Sequence, residues 1–141
     1  MSVGPIYRHF VGEWMLIAET CIYEQGDAPV SGTYRIEESD GKLVFHIGWQ
    51  DGEGETHSYS FSAIPDGIPH EFNGGDLADS LSVSAVSENE LNSSAFYKGR
   101  ELMVAARTIV DGGMYMDVRQ SVRLPDGTEP SNFSRYKRVP H

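Results

Sequence analysis

Residues 32–64 of the 141-residue chain read GTYRIEESDGKLVFHIGWQDGEGETHSYSFSAI, and this stretch decides the fold. The Asp-Gly pair at 40–41 suits a two-residue hairpin turn, which needs a positive φ at both positions. Residues 52–54 suit a three-residue loop, which sets Trp49 opposite His57. Because side chains alternate across a strand, both turns place the same apolar and aromatic side chains on one face. These are Tyr34, Ile36, Phe45, Ile47, Trp49, Tyr59 and Phe61.

The other face of this meander is polar, with Arg35, Glu37, His46, Ser58, Ser60 and Ser62. A sheet with one aromatic face must bury that face against another layer or by closing on itself. Further strands are predicted over 14–23, 80–86, 91–97, 101–110, 114–124 and 132–139, giving about nine strands and almost no helix. Their short hairpin connections favour closure over a sandwich. We therefore predict an all-β, up-and-down antiparallel barrel of about eight to ten strands, built as a single domain over residues 1–141.

Two registers are possible for the hairpin at residues 111–113. A three-residue loop there aligns apolar side chains on one face, namely Leu102, Val104, Ala106, Val110, Met114, Met116, Val118 and Val122. The same register places Arg107 outside, opposite Asp117, as a pair of opposite charge. It leaves two polar side chains facing inward, Thr108 and Gln120.

Two other stretches complete the predicted sheet. Strand 14–23, for which a helix is the competing interpretation, presents one face made of Trp14, Leu16, Ala18, Thr20 and Ile22. A two-residue turn at 98–99 sets Ala95 opposite Leu102. The loop at 65–79 holds two prolines and three glycines, which exclude a continuous strand or helix. A long loop of this kind is a candidate lid over a binding site.

Composition limits the classes of partner. There are 21 acidic and 11 basic residues, and the formal net charge of -10 disfavours binding to nucleic acid or to anionic membranes. The lone cysteine, Cys21, cannot form a disulfide within the chain and fits a reducing compartment. No signal peptide and no apolar window of membrane-spanning length is present, so we expect a cytoplasmic protein with no membrane insertion.

The two ends of the chain carry a recognisable pattern. Residues 10–14, FVGEW, resemble the F-x-G-x-W opening of the calycins, the superfamily of lipocalins and fatty-acid-binding proteins. Residues 134–139, SRYKRV, are similar to the closing strand of that group. In calycins an arginine near the C-terminus packs over the early tryptophan, which implies that Arg138 packs over Trp14 beside Gly12. The order of strands and turns also resembles small bacterial lipocalin-like domains without an assigned function.

One departure from the pattern concerns the ligand. Fatty-acid-binding proteins close with R-x-Y, in which an interior arginine and tyrosine grip the ligand carboxylate. Aligning Tyr136 with that tyrosine places Ser134 where the arginine would be. The resemblance therefore implies the barrel but not this carboxylate clamp. Arg135 takes the place of the arginine only if the strand register shifts by one residue, which turns Tyr136 outward.

We interpret the interior as a site for a small, mostly apolar or lipid-like ligand, bound reversibly and without a cofactor. The residues predicted to contact the ligand are Tyr34, Phe45, Trp49, His57, Tyr59, Phe61, Thr108, Gln120 and Tyr136. Two alternatives stay open. One is a cofactor-free isomerase, cyclase or hydrolase in the same cavity, with His57 as base; this alternative needs a charged partner to orient His57, and the sequence offers none on that face. The other is a filled barrel whose outer surface, at Tyr97, Tyr115 or the last strand, contacts a partner or forms a homodimer.

Two histidines can bind the same metal ion only if their side chains lie close together. The hairpin register places His46 outside the barrel and His57 inside, at one mouth, so the two cannot share an ion. No Cys, Asp or Glu partner appears at ligand spacing from them. We therefore predict no metal site.

Overall fold

A computed structural model of the protein describes residues 7–71 and 78–140, and in them the chain forms ten β-strands. Their bounds are β1 Gly12–Tyr23, β2 Ser31–Ser39, β3 Lys42–Gln50, β4 Thr56–Ala63, β5 His70–Glu71, β6 Ser80–Ser87, β7 Glu90–Tyr97, β8 Arg100–Val110, β9 Tyr115–Val122 and β10 Ser131–Arg138. Two short 3₁₀ helices, Arg8–Phe10 and Asp111–Gly113, are the only helical segments in these residues.

All strands belong to one antiparallel sheet, in the order β4-β3-β2-β1-β10-β9-β8-β7-β6-β5. Strands adjacent in sequence are neighbours, except that β1 pairs with β10 and that no β-ladder joins β4 to β5 in the described residues. The sheet thus forms a nearly closed barrel with a seam between β4 and β5. The predicted all-β, up-and-down antiparallel barrel is confirmed.

The registers of the β2–β3 and β3–β4 hairpins are confirmed. Tyr34 pairs with Ile47, and Ile47 pairs in turn with Tyr59. The first turn has φ of 52° at Asp40 and 79° at Gly41, the conformation in which a two-residue loop matches the twist of its strands. We call the end of the barrel with this turn and Arg8–Phe10 the base, and the opposite end, with the turn at residues 51–55, the mouth.

The predicted face of β1 is wrong in its second half. Ile17 pairs with Arg135 and Ile22 with Phe133, so four residues of β1 stand against one of β10. Thr20 holds this bulge, because its Oγ1 donates to the Ile17 carbonyl at 2.6 Å and accepts from the Arg135 N–H at 2.9 Å. The bulge reverses the faces, so that Ile22 is 69% exposed and Cys21 packs against the core.

The predicted inner face of β8 is also wrong. The turn at 98–99 forms as predicted, but a bulge then sets Ala95 opposite Met103 instead of Leu102. At the other end of β8 the loop has four residues, 111–114, and Val110 pairs with Tyr115. Both changes shift β8 by one residue, and a shift of one residue moves every side chain to the other face.

This shift exchanges two polar side chains. Arg107 lies inside the barrel, where it is 3% exposed, and Thr108 lies outside, paired with Asp117. The predicted pair of Arg107 with Asp117 is therefore wrong. Asp117 instead bonds Arg135, whose Nε donates to Oδ1 at 2.6 Å. Strand β9 keeps its predicted face, and Gln120 lies on the inner side opposite Ala105.

The base is closed by Trp14 and Arg138, as the resemblance implied. The guanidinium lies 4.1 Å from the centroid of the buried indole. It donates hydrogen bonds to the carbonyls of Gly113, Val11 and His9. Gly12 has a φ of 139°, and a Cβ there would lie 3.0 Å from Arg138 Nη1, so the close approach of Arg138 requires a glycine.

We expect Arg138→Met to lower the free energy of unfolding by about 2–4 kcal/mol, because the three carbonyls lose a charged donor. Urea unfolding followed by circular dichroism measures the change. The matched control is Arg123→Met, which removes a half-exposed ion pair with Glu129 and should cost no more than about 1 kcal/mol. Equal losses in the two variants would contradict this account of the base.

Candidate functional site

Burial of the inner-face side chains decreases from the base to the mouth. Along β4 the inner-face side chains go from Ala63, 8% exposed, through half-buried Phe61 to Tyr59, 45% exposed. Along β9 they go from Met116, fully buried, to exposed Gln120. The inner face is therefore packed in its lower half, near the base, whereas side chains in its upper half, near the mouth, keep solvent-accessible surface.

Aromatic rings line this upper half on the side of β3 and β4. Phe45 and Phe61 stack with centroids 4.5 Å apart and planes 12° apart, and Tyr59 follows 5.6 Å from Phe61. Trp49 and His57 stack at 5.3 Å. We call these five residues the aromatic cup. Phe45 forms its buried floor, and the other four rings are partly accessible, so an apolar molecule could lie against them.

Arg107 stands at the floor of the aromatic cup. Its Nε donates to Tyr34 Oη at 2.7 Å and its Nη1 to Ser93 Oγ at 3.1 Å. Its guanidinium lies 5.0 Å from the centroid of Phe45. Both hydrogen-bond acceptors are neutral hydroxyls, and none of the ion pairs in the described part of the chain includes Arg107. A buried cation with only neutral partners is an unusual and costly arrangement.

Tyr136 lies on the inner side of β10 and contacts Tyr34, the residue that accepts a hydrogen bond from Arg107. Its ring meets Tyr34 edge-on, with centroids 5.3 Å apart. Burial raises the pKa of Tyr136, so its hydroxyl stays protonated at neutral pH. Ser134 also points inward and is buried, as the sequence alignment implied. The interior arginine is thus supplied by β8 and not by β10.

The structure places eight of the nine predicted contact residues on the inner side: Tyr34, Phe45, Trp49, His57, Tyr59, Phe61, Gln120 and Tyr136. Gln120 is exposed near the mouth, where its Nε2 donates to Met103 Sδ at 2.9 Å. Thr108 lies outside. The residue that sequence reasoning missed is Arg107, and the signal that could have revealed it is the second register of the 111–113 hairpin.

The expectation that His57 lacks an acidic partner is wrong. At the tip of the β3–β4 hairpin, His57 Nε2 donates to Asp51 Oδ2 at 2.8 Å. That hydrogen bond, with those from the N–H groups of Glu55 and Glu53, lowers the pKa of Asp51. The Glu55 carboxylate lies close by, and the ligating atoms of all three side chains are within 4.8 Å of one another. The pair resembles an oriented general base, although both side chains are partly exposed to water.

Other features lie outside the barrel. A groove of about 490 Å³ between the β1–β2 and β9–β10 loops is lined by Glu24, Gln25, Leu124, Thr128, Glu129 and Pro130.

Of the predicted lid at 65–79, residues 72–77 lie outside the described residues, so the lid stays a prediction. In residues 7–71 and 78–140, no helix has both the length and the apolar character needed to cross a membrane.

Comparison with known proteins agrees with this fold. No family model matches the chain. The chain is 39% identical over 57 residues to an uncharacterized protein of Halorubrum lacusprofundi, a match that covers 40% of this chain and 14% of that protein. The crystal structure of the zebrafish ileal bile acid-binding protein complexed with cholic acid matches with a TM-score of 0.55 and 14% identity, over 93% of this chain and 99% of that one. The siderocalin Ex-FABP matches with a TM-score of 0.43 and 11% identity, over 93% and 74% of the two chains. The chain has the calycin fold.

We expect Tyr34→Phe to destabilise the protein by about 1–3 kcal/mol, because Arg107 loses a buried acceptor. Chemical unfolding at neutral pH measures the effect. Tyr59→Phe is the matched control, since it removes a hydroxyl from a half-exposed ring of the same inner face and should change stability by about 0.5 kcal/mol or less. If both variants were as stable as the wild type, Tyr34 would not be supporting the buried cation.

Proposed function

We propose that the protein binds a small, mostly apolar molecule carrying one anionic group, and holds it reversibly in the mouth half of the barrel. The anionic group is directed to Arg107 and the apolar body lies against the aromatic cup. The observation that carries this proposal is the burial of Arg107 with neutral hydroxyls as its only hydrogen-bond acceptors in the described residues.

Electrostatics gives the reason. A guanidinium offers five N–H donors in a planar fork that matches a carboxylate, and Arg107 uses two of its nitrogens on hydroxyls. Removing such a charge from water costs several kcal/mol unless a counter-charge compensates it. The chain is rich in acidic residues, yet no carboxylate among the described residues pairs with Arg107. An anionic ligand supplies that missing charge.

The aromatic cup accounts for the apolar part of the ligand. Phe61, Tyr59 and Trp49 each retain exposed ring surface, and covering apolar surface is worth about 25 cal/mol for each Å² removed from water. Phe45 both stacks on Phe61 and lies under the guanidinium of Arg107. An amphipathic acid therefore meets its apolar and its charged partners along one continuous inner surface.

The solved structure of similar fold supports this class of ligand. The zebrafish protein is complexed with cholic acid, an amphipathic carboxylic acid. The Asp51–His57 pair favours a second candidate, the cofactor-free enzyme with His57 as base. That pair is partly exposed at the hairpin tip, whereas Arg107 lies within the barrel, and we therefore propose binding as the function.

Titration calorimetry with dodecanoate and 1-dodecanol tests the proposal, because the two probes share a chain and differ in the charged group. We expect the wild type to prefer dodecanoate. In Arg107→Met the affinity for dodecanoate should fall about 10- to 100-fold, the equivalent of one charged hydrogen-bonded pair, with little change for the alcohol. Tryptophan fluorescence reports binding independently of the calorimetry. Because the chain also contains Trp14, the Trp49→Phe variant shows whether the change in fluorescence comes from Trp49.

Arg35→Met is the matched control for this experiment. Arg35 is adjacent to Tyr34 but lies on the outer face, where it bonds Glu37 at 2.5 Å. The Arg35→Met variant loses the same positive charge as Arg107→Met, but from the outer face. Its affinities for dodecanoate and for 1-dodecanol should equal those of the wild type. Equal affinity of the wild type for the acid and the alcohol, or failure of both probes to bind, would contradict the proposed function.

A further inference from the structure

The tip of the β3–β4 hairpin brings together three metal-ligating side chains. One nitrogen of His57 and one carboxylate oxygen each from Asp51 and Glu55 lie within 4.8 Å of one another. No other group of three such side chains occurs in residues 7–71 and 78–140. We propose that these three residues bind a divalent transition-metal ion of the zinc type at the mouth of the barrel.

Asp51 is already oriented for this role. Its Oδ1 accepts the backbone N–H groups of Glu53 at 2.9 Å and Glu55 at 3.0 Å, which fixes the plane of the carboxylate. Its Oδ2 is thereby directed toward His57. Outer hydrogen bonds of this kind orient a ligand and add to metal affinity. An ion would take the place of the proton between His57 Nε2 and Asp51 Oδ2, and these atoms, 2.8 Å apart, would separate to about 3.3 Å to become adjacent tetrahedral ligands.

His57 is held by a different contact. Its ring stacks on Trp49, with centroids 5.3 Å apart and planes 22° apart. The stacking limits rotation of the imidazole and keeps Nε2 on the side of Asp51. Glu55 directly precedes β4 and is fixed by its backbone, since its carbonyl accepts the Asp51 N–H at 2.9 Å. Its exposed carboxylate is free to swing onto an ion.

The donor set selects the class of ion. One imidazole with two carboxylates suits zinc and its neighbours, whereas magnesium and calcium prefer all-oxygen sites. Two carboxylates neutralise a divalent cation, and the net charge of -10 favours cation binding. Three protein ligands leave a position for water, as in open zinc sites.

The chain contains two similar pairs that serve as internal controls. His46 bonds Glu37 at 2.9 Å, and His70 bonds Asp66 at 2.9 Å. Each pair has the imidazole and carboxylate of the proposed site, but neither has a third ligand in the described residues. The proposal therefore assigns zinc to one of three His–carboxylate pairs, and the difference depends on Glu55.

The experiment is calorimetric titration of the untagged full chain with zinc chloride. We expect saturable 1:1 binding in the wild type and a loss of affinity of about tenfold or more in His57→Gln and in Glu55→Gln. His70→Gln should bind as the wild type does. Glu55 is exposed, so Glu55→Gln should retain the fold, and its unfolding curve without metal verifies this.

Co²⁺ gives a second readout because it is paramagnetic. In NMR spectra it should broaden the Trp49 indole and the residue 51–57 signals in the wild type, while the Trp14 indole at the base stays sharp. The proposal would be overturned by zinc binding that does not saturate, by unchanged affinity in Glu55→Gln, or by loss of binding in His70→Gln. None of these outcomes depends on whether the barrel binds an anionic ligand.

Discussion

Strand β1 pairs with β10, and this closure lets the aromatic face of the early hairpins become an interior. The contact that secures it is long-range, since Arg138 and the Val11 carbonyl it bonds are 127 residues apart. The same guanidinium covers Trp14 and reaches the carbonyls of His9 and Gly113. One side chain therefore fastens the N-terminal turn, the β8–β9 loop and the last strand to one base.

The two ends of the barrel differ in how deeply their inner side chains are buried. Side chains near the base, such as Met116, are fully buried and form the core. Tyr59, near the mouth, is about half exposed to solvent. Arg107 lies between these two ends, and burial makes its charge costly. If stability alone mattered, an apolar residue would serve at position 107, because replacing buried charged residues by apolar ones often leaves the stability of a protein unchanged or raises it. The proposed binding function gives a reason for an arginine at this position.

Sequence patterns predicted the fold where short turns have a single good geometry. The Asp-Gly pair at 40–41 and the loop at 52–54 each gave one hairpin register, and the two registers set the inner face of β2 to β4 correctly. At 111–114, Asp-Gly-Gly-Met permits loops of three or four residues, and apolar alternation could not separate them because β8 is apolar on both faces. Because of that ambiguity, the predicted register placed Thr108 inside the barrel and Arg107 outside, the reverse of the structure. The partner of His57 was missed for another reason, because Asp51 meets it around a hairpin tip and not along a strand.

The two proposed sites are distinct in their residues but are coupled by charge. An anion approaching the mouth of a protein with a net charge of -10 is repelled, and Asp51 and Glu55 contribute to that repulsion at the rim. A divalent cation held by these carboxylates would neutralise them while leaving Arg107 unchanged. Because coupling between two binding equilibria is reciprocal, an ion that favours the anionic ligand must itself be held more tightly when that ligand is present. The coupling must also weaken as salt rises, since the rim is exposed to water and mobile ions screen exposed charges beyond about 10 Å at 0.1 M ionic strength.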